Sequence, residues 1–232
     1  MQNNPTGNKM RYTLAEIKDS DGNVIECGLQ NNNSVEVYFR GKNNKLIVHP
    51  EAKIDTSSFH FDCDNAICII GKNEFRGFVR LGLEAKVEIK DGVTCTSKCY
   101  ITAAEMSVVL IGEDCMIATS NEFRADDGHP IFDVETGKRI NLPTGITIGN
   151  HVWIGAKATI LGGTDIGEGS VVGYGSIVKG VFPNNCVLAG APARLIKKDI
   201  AWERPHLTLT KPAYKPDASS IVKSKYWNKT RE

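Results

Sequence analysis

His129, a histidine in a polar segment, is the residue of this chain whose type and setting best suit acid–base chemistry. It lies close in sequence to three carboxylates, Asp126, Asp127 and Asp133. A neutral imidazole that a carboxylate orients can accept a proton near neutral pH, and the carboxylate stabilises the imidazolium that forms. The sequence leaves open which carboxylate orients His129, and a residue from an adjacent coil or subunit is an equal alternative.

A period of six residues predicts the elements that position this histidine. Aliphatic residues recur at every sixth position C-terminal to His129: Ile148, Ile154, Ile160, Ile166, Val172 and Val178. Small or β-branched residues follow the first five of them by four positions: Val152, Ala158, Thr164, Ser170 and Ser176. Helices favour apolar spacings of three and four, and half-buried strands favour a spacing of two. A period of six is instead typical of a solenoid of triangular coils, which stack at the strand spacing of about 4.8 Å.

The same pattern continues upstream and is interrupted once. Its upstream matches are the pairs Ile89 with Val93, Cys95 with Cys99, Ile101 with Glu105, and Ile111 with Cys115. Before Ile89 the repeat is degenerate, and strands are predicted over 34–39, 45–48, 66–70 and 78–83. The period breaks between Ile117 and Ile146, around His129. A long insertion in a solenoid leaves from a corner as a loop, where functional residues concentrate.

These patterns predict an all-β protein in three parts. The parts are an N-terminal cap over residues 1–33, a solenoid over 34–191 with an inserted loop at about 122–145, and a C-terminal region over 192–232. In the cap, the segment 12–27 with its turn at Asp21-Gly22-Asn23 is typical of a hairpin. In the C-terminal region, residues 195–202 predict a short amphipathic helix, and the prolines that follow predict an extended tail.

Composition and charge narrow the function classes. The 232 residues contain 28 Lys plus Arg and 27 Asp plus Glu, so bulk charge does not favour binding to nucleic acid. The start has no basic segment followed by an apolar one, and no stretch approaches about 18 apolar residues, so we expect a cytoplasmic protein. The seven cysteines form no CxxC pair, which predicts reduced thiols. Cys99 and Cys115 occupy small core positions of the repeat.

The repeat and its flanking segments resemble the left-handed β-helix acyltransferases that use acetyl-CoA, which include maltose, galactoside and serine O-acetyltransferases. The resemblance is carried by Asp127-Gly128-His129-Pro130, by Gly149-Asn150-His151-Val152-Trp153 and by Ala189-Gly190-Ala191-Pro192-Ala193-Arg194. With the Asn-rich segment 31–33 and Arg139-Ile140-Asn141, the layout is most similar to bacterial capsule and surface-polysaccharide O-acetyltransferases, including those that act on sialic-acid capsules. The resemblance is strong over about 111–202 and weak before 89. It implies a left-handed parallel β-helix.

The resemblance also implies direct transfer of an acetyl group from acetyl-CoA to a sugar hydroxyl, with His129 as the general base. Asp126 and Asp127 are the expected catalytic carboxylates, and Trp153 matches an aromatic residue that flanks the reaction. No Ser or Cys lies in a Gly-rich elbow, so a covalent acyl-enzyme is not favoured. By the same resemblance, we expect a homotrimer whose active sites each lie between two solenoids. We also expect no metal, because a two-histidine site does not suffice for the zinc enzymes of this fold.

For the donor, the resemblance assigns the pantetheine arm to Ala156 and Tyr174, which are 18 residues apart, and the CoA phosphates to Arg194 and Lys197. Tyr174 is larger than the residue often found there, and it would line either the CoA channel or the acceptor groove. Lys179 is displaced by one position from the basic residue of the relatives. The full set of expected CoA contacts is Trp153, Gly155, Ala156, Gly173, Tyr174, Lys179, Gly190, Pro192, Arg194 and Lys197.

Three other interpretations stay open at this stage. One is a small-sugar O-acetyltransferase or a sugar-nucleotide N-acetyltransferase of the same fold, which differs only in its acceptor pocket. Another is a zinc enzyme of the γ-carbonic anhydrase type, which needs three histidine ligands, whereas only His129 and His151 lie in or near the inserted loop in sequence. The third is a non-catalytic solenoid that acts as an assembly module. The sequence does not identify the acceptor sugar or the hydroxyl group.

Overall fold

The computed structural model describes residues 10–28 and 32–231 of the chain. All regular elements in these ranges are β-strands, and they form three sheets that surround one core. The chain passes from sheet to sheet in about seven coils, so the sheets are the three faces of a triangular prism. This arrangement confirms the β-solenoid that the six-residue period predicts. The cap residues 1–9 and 29–31 lie outside the described ranges.

Each sheet collects every third strand of the solenoid. Sheet A consists of β1 (Met10–Leu14), β4 (Asn32–Phe39), β7 (Ser58–Phe61), β10 (Gly77–Leu81), β13 (Cys99–Ala103), β16 (Glu122–Arg124), β19 (Thr159–Leu161) and β22 (Ile177–Val178). Sheet B consists of β2 (Ile17–Lys18), β3 (Val24–Glu26), β5 (Lys45–Val48), β8 (Ile67–Ile70), β11 (Lys86–Ile89), β14 (Val108–Ile111), β17 (Ile146–Ile148), β20 (Thr164–Ile166) and β23 (Val181–Phe182). Sheet C consists of β6 (Lys53–Ile54), β9 (Glu74–Phe75), β12 (Thr94–Cys95), β15 (Met116–Ile117), β18 (Trp153–Ile154), β21 (Val171–Val172), β24 (Val187–Gly190) and β25 (Ala193–Lys197).

The core is a stack of inward-facing side chains, with one set from each coil. The buried positions in register along sheet A are Val37, Phe59, Val79, Ile101, Phe123, Ile160 and Val178. Cys99 and Cys115 are also buried, at the small-residue positions that the repeat predicts. Burying an aliphatic side chain contributes about 1.5–3 kcal/mol. One coil alone would leave this inward face in water, so neighbouring coils stabilise one another.

Three corners join the sheets, and each is named here by the two sheets that it connects. The A/B corner holds the turns 40–44, 62–66, 82–85 and 104–107, then the inserted loop 125–145, then 162–163 and 179–180. The B/C corner holds 49–52, 71–73, 90–93, 112–115, 149–152, 167–170 and 183–186. The C/A corner holds 55–57, 76, 96–98, 118–121, 155–158 and 173–176, and the hairpin turn 191–192 between β24 and β25 lies at the same edge of sheet C. Each sheet A strand therefore starts at the C/A corner and ends at the A/B corner.

Antiparallel strands are found at both ends of the solenoid. At the N-terminal end, β1 pairs with β4, and β2 pairs with β3 across a turn in which Asp19 Oδ1 accepts hydrogen bonds from the Asp21 and Asn23 N–H groups (3.0 and 2.8 Å). At the C-terminal end, β25 pairs with β24. The helix predicted over 195–202 is therefore wrong. Because β24 presents an unpaired edge and Ala193 can enter the core, the segment gains more from pairing than from a helix.

Residues 198–231 contain no regular element, and we call them the C-terminal strap. The strap crosses the B/C corner, where its residues Trp202 and Tyr226 are buried. Asn185, at the same corner, donates hydrogen bonds from its side-chain amide to the carbonyl groups of Ile200 (3.0 Å) and Tyr226 (2.6 Å). In the described part of the chain, no helix has the length and apolar character needed to cross a membrane.

Candidate active site

The inserted loop leaves the solenoid and returns to it at the A/B corner without disturbing the stack of coils. Phe123, just before the loop, is in register with Ile101 of the preceding coil. Ile146, just after the loop, is in register with Val109. Both ends of the loop are therefore fixed by strand pairing, as expected for an insertion at a corner.

His129 lies on the exposed part of this loop. Among the residues that the structure describes, no group forms a hydrogen bond with its imidazole. Its backbone, by contrast, is held by Asn141, whose Nδ2 donates to the His129 carbonyl (2.9 Å) and to Asp127 Oδ2 (2.9 Å). Asn141 Oδ1 in turn accepts a hydrogen bond from the Ile131 N–H (2.7 Å). The ring is accessible to a substrate, while the main chain on both sides of it is fixed.

Arg139 anchors the Asn141 side of the loop to the solenoid. Its Nη1 donates to both carboxylate oxygens of Glu105 (2.9 and 2.6 Å), which lies at the A/B corner of the coil before the loop. Its Nε and Nη2 donate to the side-chain and backbone oxygens of Asn141 (3.2 and 3.3 Å). The planar guanidinium suits this fork of contacts. From the sequence, Glu105 has only a position in the repeat after Ile101, because it is 34 residues from Arg139 and the repeats do not connect the two.

Asp126 is buried at the start of the loop. Its Oδ1 accepts hydrogen bonds from Arg80 Nη2 (3.2 Å) and from the Gly128 N–H (3.0 Å). Asp133 forms a turn with Thr136, whose backbone N–H and hydroxyl hold the pKa of this carboxyl below its ordinary value. In the described part of this single chain, none of the three predicted carboxylates forms a hydrogen bond or ion pair with the His129 ring. All three accept hydrogen bonds that shape the loop itself.

A cavity of about 380 Å³ lies between the start and end of the loop and the A/B corner of the following coils. Its polar lining consists of Arg124, Asp126, Asp127, Asn141, Thr144 and Lys179. Arg124 is paired with Glu122 (2.6 Å), whereas Lys179 forms no ion pair or hydrogen bond with any described residue. A cavity that combines a cation, carboxylates and an amide suits a ligand rich in hydroxyl groups.

The residues expected to bind the donor lie along a different edge of the prism. Trp153 on β18 is 38% exposed, and Ala156 follows it at the C/A corner. Tyr174 lies one coil further along the same corner, is 69% exposed, and has Lys157 Nζ 5.7 Å from its ring. Gly190 and Pro192 extend the row to the last coil, and Arg194 is exposed on β25. This corner presents a continuous surface of small and aromatic residues.

Two glycines of the predicted set have a packing explanation. A Cβ on Gly155 would lie 2.6 Å from the Val172 carbonyl oxygen, and a Cβ on Gly173 would lie 3.1 Å from the Ala189 Cβ. The close stacking of coils therefore requires glycine at 155 and leaves little room for a Cβ at 173. Their presence does not by itself indicate a ligand.

The structure separates the remaining predicted residues from this row. Lys179 lies at the A/B corner beside the inserted loop, and Lys197 lies at the end of β25 that faces the B/C corner. His129 lies beyond the A/B edge of sheet A, and Trp153 lies near its C/A edge. In the described ranges, no hydrogen bond or ion pair joins the loop to the C/A corner. The single chain therefore places these two residues at different edges of the prism.

The structure also places His129 and His151 at different corners, A/B and B/C respectively. Within the described ranges, no group of three or more His, Cys, Asp or Glu side chains is arranged to hold a metal ion. The two histidines that the zinc interpretation needed to combine are therefore not brought together in this chain.

Comparisons with known proteins agree with this fold. Residues 145–180 match the family described as "Bacterial transferase hexapeptide (six repeats)". A polysialic acid O-acetyltransferase of Neisseria meningitidis is 35% identical over 181 residues, which are 74% of this chain and 81% of that protein. A polysialic acid O-acetyltransferase of Escherichia coli O1:K1 is 40% identical over 109 residues, or 47% of this chain, and this match spans only 33% of the length of that relative.

A solved structure has a similar fold over most of both chains. The crystal structure of the polysialic acid O-acetyltransferase OatWY superposes with a TM-score of 0.70 at 30% identity, and the match covers 82% of this chain and 91% of that one. The similarity therefore extends well beyond the six-residue repeats. The chain belongs to the hexapeptide-repeat acetyltransferases, the family that includes these polysialic acid O-acetyltransferases.

Proposed function

We propose that this protein transfers an acetyl group from acetyl-CoA to a hydroxyl group of a bacterial capsular or surface polysaccharide. The observation that carries the proposal is His129, exposed on a loop with a fixed backbone, in a chain whose relatives are polysialic acid O-acetyltransferases. A sialic-acid polymer is the first acceptor to test, because both the sequence relatives and the solved structure are named for it.

In the proposed reaction, His129 is the general base. Its ring accepts the proton of the sugar hydroxyl while the hydroxyl oxygen attacks the thioester carbonyl carbon. A C–O bond forms and the C–S bond breaks, and the leaving CoA thiolate takes the proton from the imidazolium. Backbone N–H groups at a solenoid corner would stabilise the oxyanion. A positioned general base typically contributes about 10²–10⁴-fold to such a rate.

A homotrimer completes the proposed site. The A/B corner of one chain, which carries His129, would meet the C/A corner of the next, which carries Trp153. Sheet A lies between these corners and would face the three-fold axis, and the B/C corner would face outward. In support, sheet A exposes Tyr100 (46%) and Ile177 (43%), and the loop exposes Phe132 (55%). The Tyr100 ring lies beside that of Phe78 on this face (centroids 5.9 Å apart), and a partly exposed aromatic pair suits cover by a partner chain.

The donor would lie along the C/A corner. Ala156 and Tyr174 would contact the pantetheine arm, and Arg194 would meet a CoA phosphate. Lys179, at the A/B corner, would reach the donor only from the neighbouring chain, and Lys197 would need the phosphates to extend toward the B/C corner. The small residues Gly155, Gly173, Gly190 and Pro192 would leave the surface open for the donor.

Asp126 and Asp127 would contribute to catalysis only indirectly, by holding the backbone of the loop that carries His129. The carboxylate that orients the His129 ring would then come from the neighbouring chain, or from a rotation of Asp127 when the acceptor binds. Since acetyl-CoA is made in the cytoplasm, we place the reaction there. The acceptor would be a polymer or precursor that has not yet left the cell.

The test uses purified protein, acetyl-CoA and a panel of acceptors. The panel contains polysialic acid, other capsular and O-antigen polysaccharides, maltose, galactose and amino sugars, and thiol release and acetyl-ester formation are both measured. We expect turnover with a polysaccharide only, and a loss of about 100-fold or more in His129→Ala. The control is His49→Ala, which removes a histidine that accepts a hydrogen bond from the Glu51 N–H at the B/C corner (3.1 Å).

Each part of the proposal has its own contrary result. Turnover with small or amino sugars alone would contradict the acceptor class, and full activity of His129→Ala would contradict the general base.

For the trimer, inactive His129→Ala and Trp153→Ala chains are unfolded together and refolded as a mixture. Recovery of activity is expected, because some interfaces then pair the two intact residues. A mixture that stays inactive, although mixed trimers have formed, would contradict the shared site.

A further inference from the structure

The B/C corner contains a buried histidine that the proposed reaction does not use. His151 is 2% exposed, and its backbone φ of 52° lies in the left-handed region. Its ring is stacked between the rings of Trp202 (centroids 4.0 Å apart, 12° between planes) and Tyr226 (4.6 Å, 5°). Both aromatic residues belong to the C-terminal strap, so the strap encloses this ring from two sides.

Both nitrogens of the His151 ring face oxygen atoms that accept hydrogen bonds. Nδ1 lies 2.6 Å from Asp114 Oδ2, and Nε2 lies 3.0 Å from the backbone carbonyl oxygen of Trp202. A neutral imidazole has one N–H group and one lone pair. One of the two contacts would then bring a nitrogen lone pair against an oxygen lone pair. Only a doubly protonated ring donates to both oxygens.

The carboxylate beside the ring does not supply the missing proton. Asp114 Oδ1 accepts a hydrogen bond from Arg204 Nε (2.5 Å), so the carboxylate is paired with a guanidinium, which is always charged. Burial raises the pKa of Tyr226 above its ordinary value, so that its phenol stays neutral. The other charges around the stack are Glu113, beside Asp114, and Lys225, whose Nζ is 5.2 Å from the Tyr226 ring. Asp114 therefore lies between the His151 ring and the Arg204 guanidinium.

Arg204 attaches the strap to the coils below His151. Its Nη1 donates to Thr94 Oγ1 (3.0 Å), and its Nη2 donates to the carbonyl oxygens of Gly92 (2.9 Å), Asp114 (2.8 Å) and Cys115 (3.0 Å). With the Nε contact to Asp114, every nitrogen of the guanidinium is engaged. Hydrogen bonds from a charged donor are stronger than those between neutral groups, so this strap contact is strong for its size.

The stack also touches the residue expected to flank the acetyl group. The rings of Trp202 and Trp153 have centroids 6.0 Å apart at 47°. Trp202 Nε1 donates to the His151 backbone carbonyl (2.9 Å), two residues before Trp153 on the same coil. A docked strap therefore fixes both the backbone before Trp153 and one side of its indole.

We infer that His151 is held as an imidazolium that fastens the C-terminal strap to the B/C corner, and that the docked strap positions Trp153 for acetyl transfer. His151 is thus a positioning residue, since it acts through Trp202 and touches neither substrate. The second half of the inference rests on the proposed function, because the role of Trp153 does. The charge of His151 stands on geometry alone.

The first experiment measures the protonation of the two ring nitrogens of His151 by ¹⁵N NMR on the full-length, histidine-labelled protein. At neutral pH we expect both nitrogens to carry a proton, because each lies within hydrogen-bond distance of an acceptor oxygen. His151→Asn identifies the signal, since Asn tolerates a positive φ better than most residues. A single unprotonated nitrogen in the His151 ring at this pH would overturn the inference.

The second experiment follows acetyl transfer in Arg204→Gln and Trp202→Phe, with limited proteolysis of the strap as a measure of docking. We expect the KM for acetyl-CoA to rise about tenfold when the strap is released, because a small displacement of Trp153 weakens donor contacts. The pH profile that His129 sets should not change. Lys72→Gln is the control, because it breaks an exposed ion pair with Glu51 (2.6 Å) at the same corner.

The outcomes separate the two proposals. A strap that proteolysis shows to be released, with an unchanged KM in both variants, would overturn the positioning of Trp153. Trp202→Phe keeps an aromatic ring in the stack, so it tests the same link if Arg204→Gln does not fold. A wild-type protein without acetyl transfer would contradict the proposed function, whereas the NMR measurement would still decide the charge of His151.

Discussion

The coils before the inserted loop and the coils after it share one backbone fold, but they fill it with different side chains. Before the loop, successive sheet A residues are 20–22 positions apart, as in Val37 to Phe59 and Phe59 to Val79. After the loop, Ile160 and Val178 are 18 positions apart. The early coils bury four large rings in a row along the chain: Phe39, Phe59, Phe61 and Phe75. The late coils bury mainly Ile, Val and Ala.

Coil size and core composition are linked by packing. The early strands contain up to eight residues and the late ones two to four, apart from the closing strand β25, so the early coils enclose more space. A protein interior is packed as densely as an organic crystal, so the extra space must be filled. Phenylalanine fills it, and ring pairs such as Phe39–Phe61 (centroids 4.9 Å apart) add contacts between coils. The fold thus tolerates a change of coil length when the core changes with it.

The largest effect is expected from removing one of these rings. Phe61→Ala leaves a cavity between early coils and should lower the free energy of unfolding by about 3–5 kcal/mol. Urea unfolding followed by circular dichroism measures the change. A loss below about 1 kcal/mol would mean that the early core collapses around the gap, and it would contradict the packing argument.

A smaller loss of unfolding free energy is expected when a buried side chain of a late coil is shortened to alanine. Val172→Ala removes two methyl groups from a fully buried position, which should cost about 2 kcal/mol. The same unfolding experiment compares it with Phe61→Ala. If Val172→Ala cost as much as Phe61→Ala, the stability would not follow the size of the buried side chain, and the distinction between early and late coils would fail.

The inserted loop is expected to affect catalysis without affecting either set of coils. Asn141→Ala removes the amide that holds the His129 carbonyl and the Ile131 N–H, so we expect kcat to fall about tenfold. The free energy of unfolding should stay within about 0.5 kcal/mol of wild type. Thr136→Ala is the matched control, because it alters the same loop at the Asp133 turn. Equal kcat values in the two variants would contradict the positioning role of Asn141.

The smallest expected effect is on the pH dependence of the free energy of unfolding, and it arises from a carboxylate at the N-terminal end. Burial raises the pKa of Asp19, but hydrogen bonds from Asn23 and Asp21 outweigh it, so the pKa lies below the ordinary 3.8. The folded state binds this proton more weakly than the unfolded chain, so its stabilisation is complete above the ordinary value and is lost as the pH falls through the lowered one. We expect at most about 1 kcal/mol, because solvent screens a partly exposed carboxylate.

The free energy of unfolding is measured at pH ~5 and at pH ~3 for wild type and for Asp19→Asn, and the comparison gives the contribution of the Asp19 carboxylate. The variant should lose the part of the pH dependence that Asp19 contributes. An identical pH dependence in both proteins would show that other carboxylates control acid stability, and that the turn between β2 and β3 is not sensitive to the charge of Asp19.

The sequence predicts the late coils well because a minimal coil allows little variation. Only six residues are available for each face, so position decides which side chain enters the core, and Ile154 or Val172 can be placed from the period alone. In the early coils, longer corners hide the period, and only strands and turns can be predicted. The helix predicted over 195–202 fails because pairing with β24 is a tertiary effect that local apolar spacing does not contain.

The candidate site is predictable in part for a similar reason. His129 stands out because it lies in an interruption of a regular pattern. The contacts that hold its loop or the strap join residues far apart in the chain, such as Arg204 and Asp114, which are 90 residues apart. No local spacing marks such pairs. The separation of His129 from Trp153 also depends on which corner each occupies, and corner assignment requires the exact length of every coil.

The base of the inserted loop has a consequence for how such proteins diversify. Because Phe123 and Ile146 pair in register with the coil below, the segment between them begins and ends on a preformed scaffold. The entropy cost of closing a loop grows only with the logarithm of its length, by about 0.6 kcal/mol for each doubling. A loop of different length or composition can therefore replace this one at little cost in stability. Exchange of this single segment offers a short evolutionary route to new acceptors on an unchanged prism.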